Sequence, residues 1–297
     1  MDQEVPLISV IVPLYNHENY VEECLNSLKN QDYPNVEIII CDDGSTDHSV
    51  AVVRKWCVDN PEINVTLIQQ ENKGVCYTLN KMVKVAQGEY VALCASDDAL
   101  TDNSLSVRYE FLINEAGSAV ISDSFTIDER SNIVNKSSIS RLYRGSLRGL
   151  KNNIVPECVY NWAIAGPALL IKKSLYQDVG LYDESLQAED RDFYLRLLAG
   201  NYVTFIEKPL AFYRVHSGNS SRNGITKRLL ISKNIALSNI KNAPLFSGAE
   251  KVFLLSHKLD LVLIKLLGMN RGCFFILSFY RAGRYYLTKS LRLLNII

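Results

Sequence analysis

Two acidic turns hold the residues of this chain whose types and spacing best suit chemistry. Asp42 and Asp43 directly follow an apolar, β-branched run, and Asp97 and Asp98 follow a second apolar run. Ligands of open α/β sheets bind at the carboxyl ends of strands. Carboxylates in that position accept hydrogen bonds from a base or a sugar, and they help to hold a divalent cation against a diphosphate. The two turns therefore predict one composite site.

Alternating strand and helix patterns surround these turns in the first hundred residues. The chain repeats a short apolar run followed by an amphipathic segment, which indicates βαβ units with right-handed crossovers and a mostly parallel sheet. The predicted strands are 7–14, 36–41, 65–69 and 90–94, and the predicted helices are 20–29, 49–58 and 75–86. The predicted fold class is therefore α/β, with helices flanking the sheet.

The pattern changes after the second acidic turn. We predict helices at 103–114, 173–179 and 189–199, strands at 119–122, 168–172, 203–206 and 210–214, and helices from residue 225 onward. Residues 123–160 are polar and irregular, and we interpret them as a long loop, which in a compact domain is usually functional. The second half would therefore add less regular elements to the sheet.

Composition limits the class of partner and the compartment. The 297 residues carry no net charge, so we expect no nucleic-acid partner. Seven scattered cysteines without a CxxC pair favour a reducing compartment over a disulfide framework. The N-terminus is acidic where a signal peptide would be basic, and no apolar run reaches the roughly 18 to 20 residues of a membrane helix. These features predict a cytoplasmic protein.

Residues 251–297 differ from the rest of the chain in charge. They contain eight Lys or Arg residues and one acid, Asp260, which leaves a local charge of +7. Aromatic and aliphatic residues lie between these cations, a pattern typical of an interfacial helix on anionic lipid. An amphipathic helix packed on the main domain, or a contact in a homodimer, would have the same pattern. Both interpretations stay open on the sequence.

Several short motifs follow one another between about residues 7 and 222. They are SVIVPLYN at 9–16, DDGSTD at 42–47, NKG at 72–74 with Asn80, GEY at 88–90 with SDD at 96–98, GLYDE at 180–184, ED at 189–190 with RL at 196–197, and YRVH at 213–216 with Ser220. In this order they resemble the inverting glycosyltransferases of family 2, of the non-processive type that builds bacterial surface polysaccharides. The resemblance implies a GT-A fold, a Rossmann-like α/β sheet, here with a C-terminal helical extension at 225–297.

The resemblance assigns the donor nucleotide to the first half of the GT-A domain, residues 1–100. Asp43, together with Asp42, would accept the N–H of a uracil base. Tyr15 would lie against that base, and Pro13 would offer its backbone carbonyl. The alternative is a solvated turn in which Asp47 caps the helix that follows.

Two further donor contacts and the metal site follow from the same resemblance. Gly74 and Asp97 would contact the donor, Asp97 at its ribose or sugar. Asp98 would bind Mn²⁺ or Mg²⁺, and His216 would reach the metal or the diphosphate, since carboxylate and imidazole ligands suit Mn²⁺. Ala95 stands where many family members carry another Asp, which leaves fewer candidate ligands. The alternative is a polar loop after a strand.

The resemblance assigns catalysis to the second half of the domain, residues 101–224. Asp190 would take the proton from an acceptor hydroxyl, and a single base opposite the leaving group gives inversion at the anomeric carbon. Glu189 and Trp162 would contact the acceptor. Acids at a helix N-terminus also suit the helix dipole, and Trp162 suits the core as well as stacking on a sugar, so these alternatives stay open.

The predicted function is transfer of one hexosyl or N-acetylhexosaminyl unit from a nucleotide sugar, in particular a UDP-sugar, to a glycan or a lipid-linked glycan. The QxxRW motif of processive synthases is absent after Asp190, which favours single additions. The predicted location is the cytoplasm, with peripheral contact at the inner face of the cell membrane through residues 251–297. The alternative is a non-catalytic nucleotide-sugar-binding or scaffold protein with the same fold. A dinucleotide-dependent oxidoreductase is disfavoured because no GxGxxG turn follows the first strand.

Overall fold

A mixed sheet forms the centre of the protein. The computed structural model describes residues 5–164, 166–186, 189–218 and 224–293. The strands within these residues are β1 (Ile8–Leu14), β2 (Val36–Asp42), β3 (Val65–Gln69), β4 (Tyr90–Leu93), β5 (Ala99–Leu100), β6 (Ala119–Ile127), β7 (Ile133–Asn135), β8 (Leu169–Lys172) and β9 (Val203–Arg214). They form one sheet in the order β3-β2-β1-β4-β8-β6-β9-β5, with β7 paired to β6.

Helices cover both faces of the sheet and continue beyond it. They are α1 (Val21–Lys29), α2 (Ser49–Asp59), α3 (Val75–Val85), α4 (Ser104–Asn114), α5 (Ser138–Arg141), α6 (Leu147–Asn152), α7 (Ile154–Tyr160), α8 (Leu175–Val179), α9 (Glu189–Ala199), α10 (Ile225–Asn242), α11 (Gly248–Ser256), α12 (Lys258–Leu267) and α13 (Arg271–Leu293), with a 3₁₀ turn at Ala243–Leu245. One hydrophobic cluster joins α1, α2 and α4 to the sheet, and a second joins α3, α8 and α9. The predicted α/β class with a C-terminal helical extension is confirmed.

The first half of the sheet consists of parallel strands. β1 pairs in parallel with both β2 and β4, and β2 pairs in parallel with β3. Along β1, Ile8, Val10 and Val12 belong to one hydrophobic cluster and Ile11 to the other, as expected for a strand buried on both faces. Parallel strands end at the same edge of a sheet, so the turns after β1, β2 and β4 lie side by side.

The second half of the sheet mixes strand directions. β8 runs antiparallel to β4 and to β6, whereas β6 and β9 run parallel. The two strands predicted at 203–206 and 210–214 are one strand, β9. Its ladder with β6 shifts register where Asp123 pairs with Pro209, because proline has no N–H to donate to a ladder. The gap between the two predicted strands is therefore an irregularity at Pro209 within one strand.

The prediction of a long irregular loop at 123–160 is wrong. β6 continues to Ile127, and β7, α5, α6 and α7 occupy most of the remaining residues. Several of the polar side chains that suggested a loop are buried and hydrogen-bonded. Thr126 Oγ1 lies 2.8 Å from Ser138 Oγ, and Asp123 Oδ1 accepts the Ile139 N–H at 3.2 Å. Pairing of buried polar groups therefore allows a polar composition to form regular elements here.

The C-terminal helices pack against α7 and α9. Leu254 of α11 is buried with Val159 and Leu195, and Leu229 of α10 is buried with Ile264 of α12. In the described part of the chain, no helix is both long enough and apolar enough to cross a membrane. The C-terminal region is therefore a helical layer beside the end of the domain that carries α9.

Candidate active site

Backbone hydrogen bonds tie the two acidic turns to the end of β1. The Asp43 N–H donates to the Leu14 carbonyl at 2.9 Å, and the Ser96 N–H donates to the Pro13 carbonyl at 3.3 Å. The parallel ladders therefore bring the two turns to opposite sides of the same strand end. This is the arrangement that a composite site requires.

The Asp43 carboxylate holds the turn that follows β3. Its Oδ1 accepts the Lys73 N–H and the Gln70 side-chain amide, both at 2.8 Å, and its Oδ2 accepts the Gly74 N–H at 2.9 Å. Gly74 has a φ of +86°, which favours glycine. A carboxylate has about four acceptor positions, so these three bonds leave capacity on Oδ2 for one further donor such as a base N–H.

Tyr15, which follows β1, and Asp42, the last residue of β2, differ in solvent accessibility. The Tyr15 side chain is 47% exposed, whereas Asp42 is buried and accepts the Ser45 N–H at 3.3 Å. An open depression of about 560 Å³ lies at the ends of β2 and β3. It is lined by Asp42, Gly44, Ser45, Gln69, Gln70, Glu71 and Asn72. The N–H of Asn16, the residue after Tyr15, donates to Ser45 Oγ at 2.9 Å and so ties this segment to the depression. An exposed aromatic ring such as that of Tyr15 can cover the face of a nucleoside base.

A cluster of two histidines and one carboxylate lies at the end of β4. The ligand atoms of His17, Asp97 and His216 all lie within 4.8 Å of one another. His216 Nε2 is 3.1 Å from Asp97 Oδ2, and His17 Nδ1 is 3.8 Å from Asp97 Oδ1. His17 also lies 2.8 Å from Ser96 Oγ. Two imidazoles and a carboxylate form a donor set that suits Mn²⁺, so these residues fit a divalent metal.

Electrostatics favours the metal-binding forms of this cluster. Burial lowers the pKa of His17, against the opposing effect of Asp97. Burial alone would raise the pKa of Asp97, but the hydrogen bond with His216 and the neighbouring His17 lower it overall. A neutral imidazole and an ionised carboxylate are the forms that coordinate metals.

The structure does not bring Asp98, the predicted direct metal ligand, into this cluster. Its Oδ1 accepts the Arg214 N–H at 2.8 Å, and a Cβ added to Gly166 would come within 2.8 Å of its Oδ2. Burial, and then the charge of Asp97, raise the pKa of Asp98 well above its ordinary value. Asp97, predicted as a sugar or ribose contact, is instead the carboxylate beside His216. Residue spacing could not separate these roles, because the two acids are adjacent.

Arg214 connects the acidic turn to distant parts of the chain. Its side chain is 1% exposed. Its Nε donates to the Asp97 carbonyl at 2.7 Å, its Nη1 donates to the Asp128 carbonyl at 3.1 Å and to Ser131 Oγ at 2.9 Å, and its Nη2 pairs with Glu23 at 2.7 Å. These bonds join the acidic turn after β4 to α1 and to the segment between β6 and β7.

Asp190 lies in the first turn of α9. Its Oδ1 accepts the N–H of Arg191 at 2.6 Å. Burial raises the pKa of Asp190, while the Arg191 N–H and the Arg191 charge act in the opposite direction. The residue nevertheless remains partly accessible. The side chain of Glu189, the predicted acceptor contact, lies outside the described residues, as does Ser220.

Charged groups from both halves of the site affect the ionisation of Tyr143. Burial raises the pKa of its phenol well above the ordinary value, and Tyr213 and the negative charges of Asp190 and Asp98 add to this effect. The rings of Tyr143 and Tyr213 are 6.4 Å apart between centroids. Asp190 and Asp98 therefore act on one phenol, although they lie on α9 and on the turn after β4. The loop predicted at 123–160 obscured this tyrosine.

Trp162 packs at the rim of the core, beside the helix that carries Asp190. Its ring lies 5.6 Å from the ring of Tyr194, and the guanidinium of Arg191 lies 5.0 Å from the ring centroid of Trp162. The side chain is neither fully buried nor fully exposed. A sugar-stacking role for Trp162 therefore stays a prediction.

The C-terminal region holds α9 through residues that the sequence analysis missed. Arg191 is buried, and it donates from Nε to Asn239 Oδ1 at 2.7 Å and from Nη1 to the Cys158 carbonyl at 2.7 Å. Asn242 donates to Asp192 Oδ1 at 2.8 Å. The only sequence signal was a series of amide and hydroxyl side chains at helical spacing along α10.

The fold and the site define a class of protein, an α/β enzyme with carboxylates and imidazoles at the ends of parallel strands where nucleotides bind. The family model described as Glycosyl transferase family 2 matches residues 9–172. This match spans more than half of the chain, and the chain therefore belongs to glycosyl transferase family 2. The resemblance drawn from the motifs is confirmed, and the protein is a glycosyltransferase.

Relatives of this chain include bacterial glycosyltransferases and polysaccharide synthases. Glycosyltransferase GlyG of Streptococcus pneumoniae serotype 4 is 29% identical over 229 residues, which are 73% of this chain and 73% of GlyG. The chondroitin synthase of Escherichia coli is 31% identical over 133 residues, which are 44% of this chain and 19% of that synthase.

Solved glycosyltransferase structures share the fold. S. aureus TarS 1-349 in complex with UDP-GlcNAc has a TM-score of 0.63 at 24% identity, over 85% of this chain and 72% of TarS 1-349. The mannosyltransferase PcManGT from Pyrobaculum calidifontis, in complex with GDP-Man and Mn²⁺, has a TM-score of 0.61 at 18% identity, over 98% of this chain and 88% of PcManGT. The second likeness extends into the C-terminal helices.

Proposed function

We propose that this glycosyltransferase moves one sugar from a UDP-sugar to a glycan or a lipid-linked glycan, with inversion at the anomeric carbon. The observation that carries the proposal is the cluster of His17, Asp97 and His216 at the end of β4, with Asp190 on the opposite half of the domain. The fold shared with TarS, which was solved with UDP-GlcNAc, supports a UDP-sugar as donor.

The donor nucleoside would bind where the turns after β1, β2 and β3 meet. The exposed ring of Tyr15 would cover the base, and Asp43, supported by Asp42, would accept the base N–H through its remaining acceptor capacity. The backbone of Pro13 and Gly74 would border the same space. Each of these groups lies at a strand end, which is where nucleotides bind in open α/β sheets.

A divalent ion, Mn²⁺ or Mg²⁺, would be held by His17, Asp97 and His216. The imidazole content favours Mn²⁺ over Mg²⁺. When bound, the ion would offset the negative charge that develops on the diphosphate as the glycosidic bond breaks. Asp98 would support this site indirectly, because its bond to the Arg214 N–H joins the acidic turn to β9.

Asp190 would be the catalytic base. The acceptor oxygen attacks the anomeric carbon, the bond from that carbon to the donor phosphate oxygen breaks, and the acceptor proton moves to an Asp190 carboxylate oxygen. The pKa of Asp190 is raised by burial, which makes the carboxylate a stronger base. A single displacement of this kind converts an α-linked donor into a β-linked product.

The acceptor would approach the side of the domain that carries Trp162 and Glu189. A lipid-linked acceptor would bring the enzyme to the inner face of the cell membrane, with peripheral contact through residues 251–297. The absence of a QxxRW motif favours addition of one sugar per encounter. We expect no nucleic-acid partner, and a homodimer through the C-terminal helices is the competing arrangement.

Calorimetric titration with UDP, GDP and dTDP, with and without Mn²⁺, tests the donor and the metal together. We expect UDP to bind in a Mn²⁺-dependent manner, and transfer from UDP-sugars to follow. Tight binding of another nucleotide would replace the proposed donor. Binding of UDP without hydrolysis or transfer of any UDP-sugar would favour a non-catalytic nucleotide-sugar-binding protein.

A further inference from the structure

Helix α13 exposes large aromatic residues on one side, although it also buries Cys273 and Leu277 in a hydrophobic cluster with α10 and α12. Phe275, Phe279 and Tyr286 are 63%, 82% and 63% exposed, and their spacing of four and seven residues places them on one face of the helix. On the inward side, Arg281 and Arg284 both pair with Asp260, which is fully buried. A surface helix that buries one apolar stripe normally presents polar residues on its other sides, so the exposed aromatic residues of α13 are unusual for a face in contact with water.

Adjacent exposed residues of α12 and of the turn after it are also apolar. Leu266 is 75% exposed, and Leu259, Val262 and Met269 are 42%, 47% and 38% exposed. We name these residues together with those of α13 the C-terminal apolar face: Leu259, Val262, Leu266, Met269, Phe275, Phe279 and Tyr286. The part on α13 alone extends over about 16 Å along the helix axis. Helices α12 and α13 pack against each other, and a concentration of exposed apolar residues on such a pair marks an interaction site.

The exposed charges within the described residues of 251–293 are all positive. Lys251, Lys258, Lys265 and Arg271 are exposed, while Asp260 is the one acid in residues 251–297 and is buried in ion pairs. Arg281 and Arg284 belong to the basic pattern of residues 251–297, but the structure pairs both with Asp260. The positive field therefore comes from the lysines and Arg271 at the margin of the face.

We propose that the C-terminal apolar face docks on the surface of an anionic lipid bilayer. Apolar side chains in the centre and cations at the margin are the chemistry of an interfacial helix, which inserts its apolar side at the boundary between headgroups and acyl chains. Exposed lysines gain from an anionic membrane surface. The inference rests on the peripheral membrane contact proposed above and names the surface that makes it, and it is independent of the sugar that the enzyme transfers.

Charge favours the bilayer over a second copy of the chain. In a symmetric dimer the same patch meets itself, so the cations that surround the face on one copy would approach those of the other. Among the described residues of 251–293, no exposed acid is present to offset them. An anionic bilayer instead supplies the opposite charge over the whole face.

Co-sedimentation of the full chain with vesicles tests the apolar part of the proposal. We expect binding to vesicles of equal phosphatidylglycerol and phosphatidylcholine, and at least about tenfold weaker binding by Phe279→Ser, since a large aromatic side chain would no longer be buried in the interface. Val58→Ser is the matched control, because Val58 on α2 is 78% exposed and lies far along the chain from this face. Equal binding by wild type and Phe279→Ser would overturn the proposal.

The charge part is tested with the double variant Lys258→Glu and Lys265→Glu. Its binding to the same vesicles should fall by at least about tenfold, and the binding of wild type should weaken as salt is raised or as phosphatidylglycerol is removed. The double variant Lys55→Glu and Lys84→Glu, at exposed positions on α2 and α3, changes the net charge by the same amount and should bind with little loss. Equal losses in both variants would mean a net-charge effect and would overturn the assignment to this face.

A spectroscopic reporter distinguishes the bilayer from other occupants. Phe279→Trp should show a blue-shifted emission on anionic vesicles and quenching by brominated acyl chains, whereas Val58→Trp should show neither. Retained thermal unfolding temperatures establish that each variant is folded. If the wild type fails to bind vesicles but forms a concentration-dependent dimer that Phe279→Ser abolishes, the face is a subunit interface and the proposal is wrong.

Discussion

The two halves of the GT-A domain hold the candidate site by different means. In the first half, parallel ladders between β1, β2 and β4 fix the acidic turns through the backbone. In the second half and the C-terminal helices, buried side chains hold the site in place. Arg214 bonds to the acidic turn, and Arg191 bonds to Asn239. The proposed donor side therefore depends on local strand–turn units, whereas the proposed catalytic side depends on side-chain bonds between residues far apart in the chain.

Removal of the proposed base should give the largest effect on activity, and it should affect catalysis without affecting nucleotide binding by the first half. Asp190→Asn should lower kcat by about 10²–10⁴-fold, because an amide cannot accept the acceptor proton. UDP affinity, a property of the first half, should stay unchanged. Single-turnover kinetics and calorimetry measure these two quantities, and Asp178→Asn, at an exposed acid of α8, is the control. An unaltered kcat would remove Asp190 as the base.

Two isosteric substitutions test which of the adjacent acids Asp97 and Asp98 binds the metal. Asp97→Asn should weaken Mn²⁺ binding by at least about tenfold, as loss of a ligand costs at least as much as loss of a supporting group. Asp98→Asn should have a smaller effect, because the amide oxygen can still accept the Arg214 N–H. The free Mn²⁺ signal in electron paramagnetic resonance gives both affinities. The reverse order would return the ligand role to Asp98.

A change in α10 tests whether the C-terminal region supports the catalytic half. Asn239→Ala should lower the free energy of unfolding by about 1–3 kcal/mol, because the buried Nε of Arg191 loses its acceptor. It should also lower kcat more than UDP affinity, since α9 carries Asp190. Denaturant titration and steady-state kinetics test both effects, with Lys233→Ala on an exposed position of α10 as control. Loss of UDP affinity with normal kcat would contradict the inference that the C-terminal helices support the catalytic half.

The smallest effect concerns acid sensitivity of the C-terminal helices. Burial lowers the pKa of His257 to about 3, against about 6.5 in the unfolded chain. The unfolded state therefore binds more protons below pH 6.5, and stability falls as the pH drops, by at most about 2 kcal/mol between pH 6.5 and pH 5. His257→Gln should remove this slope, which urea unfolding at both pH values measures. An unchanged slope would assign the acid sensitivity to other groups.

The first half of the fold was predictable because each of its signals is local. Apolar runs alternate with amphipathic segments, and β2 and β3 lie within a residue of their predicted bounds. The acidic turns follow strand ends directly, so their meeting at the end of β1 could be inferred from parallel topology alone. The family motifs then supplied expectations for individual residues that composition and spacing could not.

Residues of the second half could not be predicted because their roles arise from tertiary contacts. Spacing could not decide which of Asp97 and Asp98 faces His216, since adjacent residues differ only in side-chain direction. Polar residues such as Thr126 and Ser138 are typical of a loop in the sequence, and only the structure shows that their buried hydroxyls bond to each other. The amide of Asn239 had no recognisable partner in the sequence, because Arg191 is 48 residues away.

The position of Arg214 in the chain has a consequence for synthesis on the ribosome. Its bond to Glu23 spans 191 residues, and its bond to the Asp97 carbonyl spans 117. Chains emerge with the N-terminus first, so the parallel half can form before the residue that anchors its acidic turn has been translated. The parallel strands can therefore form in the nascent chain before the proposed metal site is ordered, because that order depends on β9.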